Sequence, residues 1–138
     1  MLVMIVSLAL SACGELGELP TDPGGGDPLD PSATFSRVQA EIFTPRCTTI
    51  GCHDSIGRSQ GLVLEAGVSY ANLVNRASTE ISQVDLIEPG EPDASYLFWK
   101  VTGRQGILND RMPLFATPLS EGQIALLRNW ILRGAPND

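Results

Sequence analysis

The chain has 138 residues, of which 43% are hydrophobic and 18% charged, and this composition indicates about one globular domain rather than a disordered chain. Its formal net charge of −7 excludes electrostatic binding of nucleic acid or of an anionic membrane surface by the chain itself. The sequence holds no run of about 20 apolar residues, so it predicts no transmembrane helix.

Residues 1–12, MLVMIVSLALSA, are predicted to be an export signal, because they are uncharged, mostly apolar and too short to span a bilayer. The adjoining Leu10-Ser11-Ala12-Cys13 resembles a bacterial lipobox. That resemblance implies a lipid on the Cys13 thiol and a membrane-anchored, extracytoplasmic lipoprotein, facing the periplasm or in the outer membrane. The alternative is an apolar N-terminus with an unmodified cysteine.

Residues 13–31 are predicted to be the lipidated cysteine and a flexible tether. Half of the stretch from Gly14 to Pro31 is Gly or Pro, and it carries five acidic residues and no basic one. Such a segment buries too little apolar surface to offset the entropy cost of ordering it. Most of the negative charge therefore belongs to the tether.

Residues 32–138 are predicted to form one small, mainly α domain with long irregular loops. The first helix is expected from Phe35 to about Phe43, capped by Ser32 or Thr34 and stopped by Pro45. Two shorter helices are expected at Ser69 to Asn75 and at Ala94 to about Val101, and Val84 to Ile87 could be extended. No sustained period-2 alternation predicts a sheet.

The C-terminal helix has the clearest pattern in the sequence. Ser120-x-x-Gln123 is a capping box, and Ile124, Leu127 and Ile131 repeat on one helix face beside Trp130. Gly134 and Pro136 are expected to end this helix.

The segment from Cys47 to His53, CTTIGCH, carries the chemical signal. Cys-x-x-Cys-His is the common attachment motif of c-type haem, in which the histidine ligates the iron. Here the spacer has four residues, and on a regular helix Cys47 and Cys52 would point about 140° apart. The segment must therefore loop out, and Gly51, which tolerates positive φ, allows the chain to turn back.

A second axial ligand is predicted at Met112. It is the one methionine outside residues 1–12, it precedes Pro113, and it lies shortly before the C-terminal helix. A thioether is a known partner of histidine at haem iron and raises the reduction potential.

The order of helix, Cys…Cys-His, Met-Pro loop and final amphipathic helix resembles a class I cytochrome c domain. The local sequence is similar to haem-binding domains of exported lipoproteins of myxobacteria and planctomycetes, through IFTPRC, GCHD, SYANLV, PGEPDASYLFWKV, RMPL and LSEGQIALLRNWILRGAP. The resemblance implies a cytochrome c-like fold around one covalent haem c, with thioethers at Cys47 and Cys52 and iron ligands His53 and Met112. It also implies one-electron transfer with an unknown redox partner protein, with no enzymatic activity and no small-molecule substrate.

Three alternatives stay open. Cys47 and Cys52 could form a disulfide in a haem-free binding or interaction lipoprotein. The protein could instead be a haem enzyme or sensor in which Met112 only fills the core and the iron stays open. Zinc is disfavoured because a structural site wants four ligands. The aromatic residues Tyr70, Phe98, Trp99 and Trp130 could line a haem pocket, but by default they are expected to be core.

Overall fold

The computed structural model describes residues 30–138, so the predicted signal, the lipidation site Cys13 and the tether up to residue 29 lie outside the described residues. The described part is small and mainly α, which confirms that part of the prediction. Between its helices lie long loops with two isolated β-bridges, Val74 with Ile87 and Ala77 with Asp85. Its helical elements are α1 (Phe35–Val38), a π-helical segment (Gln39–Cys47), α2 (Ser69–Leu73), α3 (Tyr96–Thr102), α4 (Glu121–Leu132) and short 3₁₀ turns at Ser59–Gly61 and Pro92–Ala94.

The first helix begins where the sequence predicts and ends later. Of the two candidate caps it is Thr34 whose side chain accepts the backbone N–H of Arg37. The prediction that Pro45 stops the helix is wrong, because α1 continues directly into the π-helical segment, which contains Pro45 and ends at Cys47. The first cysteine of the motif is therefore the last residue of a helix.

The wider π turn and a contact from α4 explain how Pro45 is accommodated. A proline removes one backbone donor, and its ring crowds the carbonyl four residues back. That carbonyl belongs to Glu41, and it accepts the Gln123 side-chain amide at 2.8 Å. The segment closes with the Thr48 N–H donating to Phe43 O at 3.1 Å, five residues back. Tertiary packing thus supplies a hydrogen-bond donor to the helix in place of the N–H that Pro45 lacks.

The two middle helices lie near their predicted positions with shifted ends. α2 stops at Leu73 because Val74 turns extended, with φ −78° and ψ 127°, and pairs with Ile87. The predicted helix from Ala94 is divided, since Ser95 is extended and separates the 3₁₀ turn from α3.

The C-terminal helix is as predicted, with both hydrogen bonds of the Ser120–Gln123 capping box present. Leu127, Trp130 and Ile131 are fully buried. The Trp130 ring lies 5.3 Å from the ring of Phe35, so the first and last helices pack together in the core. No helix within residues 30–138 has the length and apolar character needed to cross a bilayer.

Replacing Ser120 by alanine is expected to lower the free energy of unfolding by about 1 kcal/mol, because the helix loses its N-cap acceptor for the Gln123 N–H. Urea unfolding followed by circular dichroism measures this loss. Ser82→Ala, at an exposed serine, is the control, and equal stability of the two variants would contradict the capping role.

Candidate functional site

A cavity of about 500 Å³ with mostly apolar walls lies beside the Cys-x4-Cys-His loop, a volume in the range of cofactor-sized pockets. All four predicted haem residues, Cys47, Cys52, His53 and Met112, line it. They come from the end of the π-helical segment, from the loop that follows it and from the loop before α4. The fold therefore brings together side chains that lie far apart in the sequence.

The four-residue spacer forms a hydrogen-bonded loop, as predicted. Gly51 has φ 86°, the left-handed conformation that allows the chain to reverse. The Cys52 N–H donates to Thr49 O at 2.9 Å, and the His53 N–H donates to Cys47 O at 3.1 Å. The loop thus returns to its starting point, so that both cysteines and His53 face one cavity.

Asp54 holds this loop from inside, a role that the sequence reasoning missed. The residue is buried, its Oδ1 accepts the Gly57 N–H at 2.6 Å, and its Oδ2 accepts the Gly51 N–H at 3.3 Å. These hydrogen bonds, with Gly57 the strongest, lower the pKa of the Asp54 carboxyl below its usual range. An acidic residue directly after the histidine was the available signal, since carboxylates often cap turns of this kind.

Gly57 is needed for close approach of two backbone segments. A Cβ atom at this position would lie 2.3 Å from the carbonyl carbon of Gly51 and 2.7 Å from Cys52 O. Those atoms are backbone and cannot move without displacing the loop that carries the cysteines.

Gly57→Ala is therefore expected to destabilise the protein by about 1–3 kcal/mol through overpacking. Urea unfolding provides the measurement. Gly122→Ala is the matched control with the opposite sign, because its Cβ would meet only Ser120 Oγ at 4.0 Å inside α4. A Gly57→Ala protein as stable as the wild type would show that the loop can relax.

The His53 imidazole lies at the cavity with one ring nitrogen near a backbone carbonyl. The residue is half-buried, and Nδ1 lies 3.3 Å from Leu62 O. With Nδ1 protonated, the ring donates to that carbonyl and carries its lone pair on Nε2, the tautomer usual for a metal-bound histidine. Burial lowers the pKa of His53, and the opposing effect of the Leu62 carbonyl does not reverse it. Burial therefore favours the uncharged form of the ring.

The two cysteines of the motif are not joined in the structure, and their surroundings differ. Cys47 is half-buried and packs against the core, and burial raises the pKa of its thiol to about 12. Cys52 is exposed. Cys47 is therefore held as a neutral thiol, whereas the Cys52 sulfur is open to solvent.

In haem-free full-length protein carrying Cys13→Ser, the thiol of Cys52 is expected to react with a maleimide at pH 7 at least about tenfold faster than that of Cys47, because access and thiolate content set the rate. The rates are compared in the Cys47→Ser and Cys52→Ser variants by mass spectrometry. Equal rates would contradict the difference in burial. The absence of any reactive thiol when both cysteines are present would indicate the disulfide.

Met112 lies far along the chain from the Cys-x4-Cys-His motif but lines the same cavity, where its side chain is half-buried. It packs against the core, and its backbone N–H donates to Lys100 O at 2.9 Å. Its neighbours Pro113 and Leu114 also line the cavity. The thioether is thus on a segment attached to α3.

The aromatic residues of the cavity wall are Phe43 and Tyr96, which the sequence reasoning did not identify. The expectation that Tyr70, Phe98, Trp99 and Trp130 are core is confirmed for the buried Phe98 and Trp130. Tyr70 packs against that core, and Trp99 is only half-buried. None of the four lines the cavity within the described residues.

A buried polar cluster of Glu80, Tyr96 and Lys100 forms part of the cavity wall. Lys100 Nζ lies 3.2 Å from Glu80 Oε2, and both side chains are only 10% exposed. The Tyr96 hydroxyl donates to the same oxygen at 2.7 Å. Burial raises the pKa of Glu80, but the hydrogen bonds from Tyr96, Asn109 and Lys100 outweigh it and hold the pKa below its usual value. No sequence pattern predicted this cluster, because only the tertiary fold brings Glu80 next to Tyr96 and Lys100.

Over residues 30–138, no group of three or more His, Cys, Asp and Glu side chains is arranged to hold a metal ion by itself. Comparisons with protein-family models, with curated proteins and with solved structures found no match to this chain.

Proposed function

We propose that this chain is a monohaem c-type cytochrome, a lipid-anchored one-electron carrier with His/Met ligation. The observation that carries the proposal is that Cys47, Cys52, His53 and Met112 line one cavity of cofactor size although they come from separate segments. A cytochrome c-like fold is part of the same proposal, supported by a mainly α chain whose first and last helices pack together.

The residues present fit a haem in their chemistry. Cys47 and Cys52 would hold it by thioether bonds, and Nε2 of His53 and the sulfur of Met112 would ligate the iron. Apolar walls suit the porphyrin, and the neutral imidazole needs no deprotonation before it binds iron. When bound, the haem would supply a reversible one-electron couple of its iron.

The chain's own contribution is to position these groups. Asp54 and Gly57 hold the loop that presents the two sulfurs and the imidazole. The Leu62 carbonyl orients the His53 ring by its contact with Nδ1. The Met112 segment forms part of the cavity wall, and Lys100 O of α3 holds it by accepting the Met112 N–H.

The cellular setting belongs to the proposal as well. A lipid on Cys13 would tether the domain to a bacterial membrane on its extracytoplasmic side. The tether of residues 14–31 would let it meet redox partner proteins there. A Cys13→Ser variant is expected to leave the membrane fraction, and its continued presence in washed membranes would contradict lipid anchoring.

The test of the cofactor is a pyridine haemochrome spectrum of the full chain produced together with c-type cytochrome maturation proteins. We expect a c-type spectrum from pigment that stays on the protein after denaturation. A Cys47→Ser, Cys52→Ser double variant is the control and should lose the pigment in denaturant. Colourless wild-type protein in which the two cysteines form a disulfide would contradict the proposal and support a haem-free binding lipoprotein.

A further inference from the structure

The polar cluster in the cavity wall contacts the loop that leads from α3 to Met112. The Tyr96 hydroxyl accepts the Leu108 N–H at 3.0 Å, and Lys100 Nζ donates to Leu108 O at 2.8 Å. The cluster therefore binds both backbone groups of one loop residue.

Glu80 adds a second attachment and joins the cluster into one unit. Its Oε1 accepts the side-chain amide of Asn109 at 2.6 Å, while its Oε2 faces Tyr96 and Lys100. Asn109 has φ 57°, so the loop turns at the residue that Glu80 holds. Three residues further on, the Met112 N–H donates to Lys100 O, so the loop is attached to α3 at Leu108 and again at Met112.

A stability role alone does not account for a buried ion pair at this place. Apolar residues of similar volume are often equal or better in stability, because two charges must be desolvated. Directional hydrogen bonds do supply geometry, since each one fixes a donor and an acceptor at a defined distance. Within residues 30–138, the side-chain hydrogen bonds that the cluster makes to other residues all go to Leu108 and Asn109.

We propose that Glu80, Tyr96 and Lys100 are positioning residues that hold the Met112 loop against the cavity and so control access of other ligands to the distal side of the site. The distal ligation itself rests on the proposed function. The attachment of the loop does not, and it is measurable without haem.

The decisive variant is Tyr96→Phe, which removes the hydroxyl that joins Glu80 to Leu108 and keeps the buried ring. Tyr70→Phe is the control, because it removes a tyrosine hydroxyl that bonds Ala135 O at 2.9 Å, away from the cavity. Asn109→Asp is a second variant. It leaves the Tyr96 side chain intact and places a negative charge beside Glu80.

Amide hydrogen exchange of the full chain, with or without haem, is measured at the Met112 N–H. Neither Tyr96→Phe nor Asn109→Asp removes its acceptor, which is the backbone carbonyl of Lys100. We expect exchange at this amide to rise about tenfold in Tyr96→Phe and in Asn109→Asp and to stay unchanged in Tyr70→Phe. A tenfold change equals about 1.4 kcal/mol, the size of one net hydrogen bond. Unchanged exchange at Met112 in Tyr96→Phe would overturn the proposal.

The second readout is the affinity of haem-loaded protein for imidazole, an external iron ligand. We expect it to rise about tenfold in Tyr96→Phe relative to Tyr70→Phe. Equal affinities in the two variants would overturn control of the distal side. Protein that carries no haem would defeat the proposed function together with this distal role, while the exchange result would still decide whether the cluster holds the loop.

Discussion

Substituting His53 by alanine is expected to abolish the low-spin haem spectrum or the retention of haem altogether. The chain contains a single histidine, so no other imidazole can take the proximal position. Burial favours the neutral ring, and its Nδ1 is directed at Leu62 O, so the substitution removes the imidazole proposed as the iron ligand. Absorption spectra of the oxidised and reduced protein provide the measurement.

Thr49→Ala is the control for the His53 variant, because this exposed residue lines the same cavity and belongs to the same loop. It should leave the iron spectrum unchanged. If His53→Ala protein shows the wild-type spectrum, then the imidazole is not a ligand and the assignment of the site fails.

Replacing Met112 by leucine is expected to lower the reduction potential by on the order of 0.1 V and to open the iron to carbon monoxide. Axial ligands set the potential over a range of about 0.8 V, and a methionine sulfur favours the reduced iron. Leucine keeps the apolar volume that Met112 packs against the core, so the change isolates the sulfur. Redox titration and carbon monoxide difference spectra measure the two effects.

Leu114→Ala is the control for packing near the distal side, because Leu114 lines the cavity and is partly exposed. Its potential should stay close to that of the wild type. A Met112→Leu protein with unchanged potential and no new carbon monoxide binding would show that Met112 only fills the core. Iron that binds carbon monoxide equally well in the wild type would instead indicate the open-site haem enzyme or sensor.

Some parts of the structure could be predicted from the local sequence, and others could not. The C-terminal helix was predictable because its cap, from Ser120 to Gln123, and its apolar repeat lie within a few turns of one another. The turn at Gly51 was predictable for the same reason, since the four-residue spacer between the cysteines has to reverse the chain and Gly51 tolerates positive φ. Both depend on local backbone preference and hydrogen bonding.

The sequence by itself therefore determined the mainly α class, the final helix and the grouping of Cys47, Cys52 and His53 in one short segment. Only the tertiary structure decided that the first helix continues past Pro45, because a side chain of α4 satisfies the Glu41 carbonyl there. Only the tertiary structure brought Met112 to the cavity of the motif and set Glu80 against Lys100 in its wall. Contacts of this kind join segments distant in the chain, and no local preference specifies them.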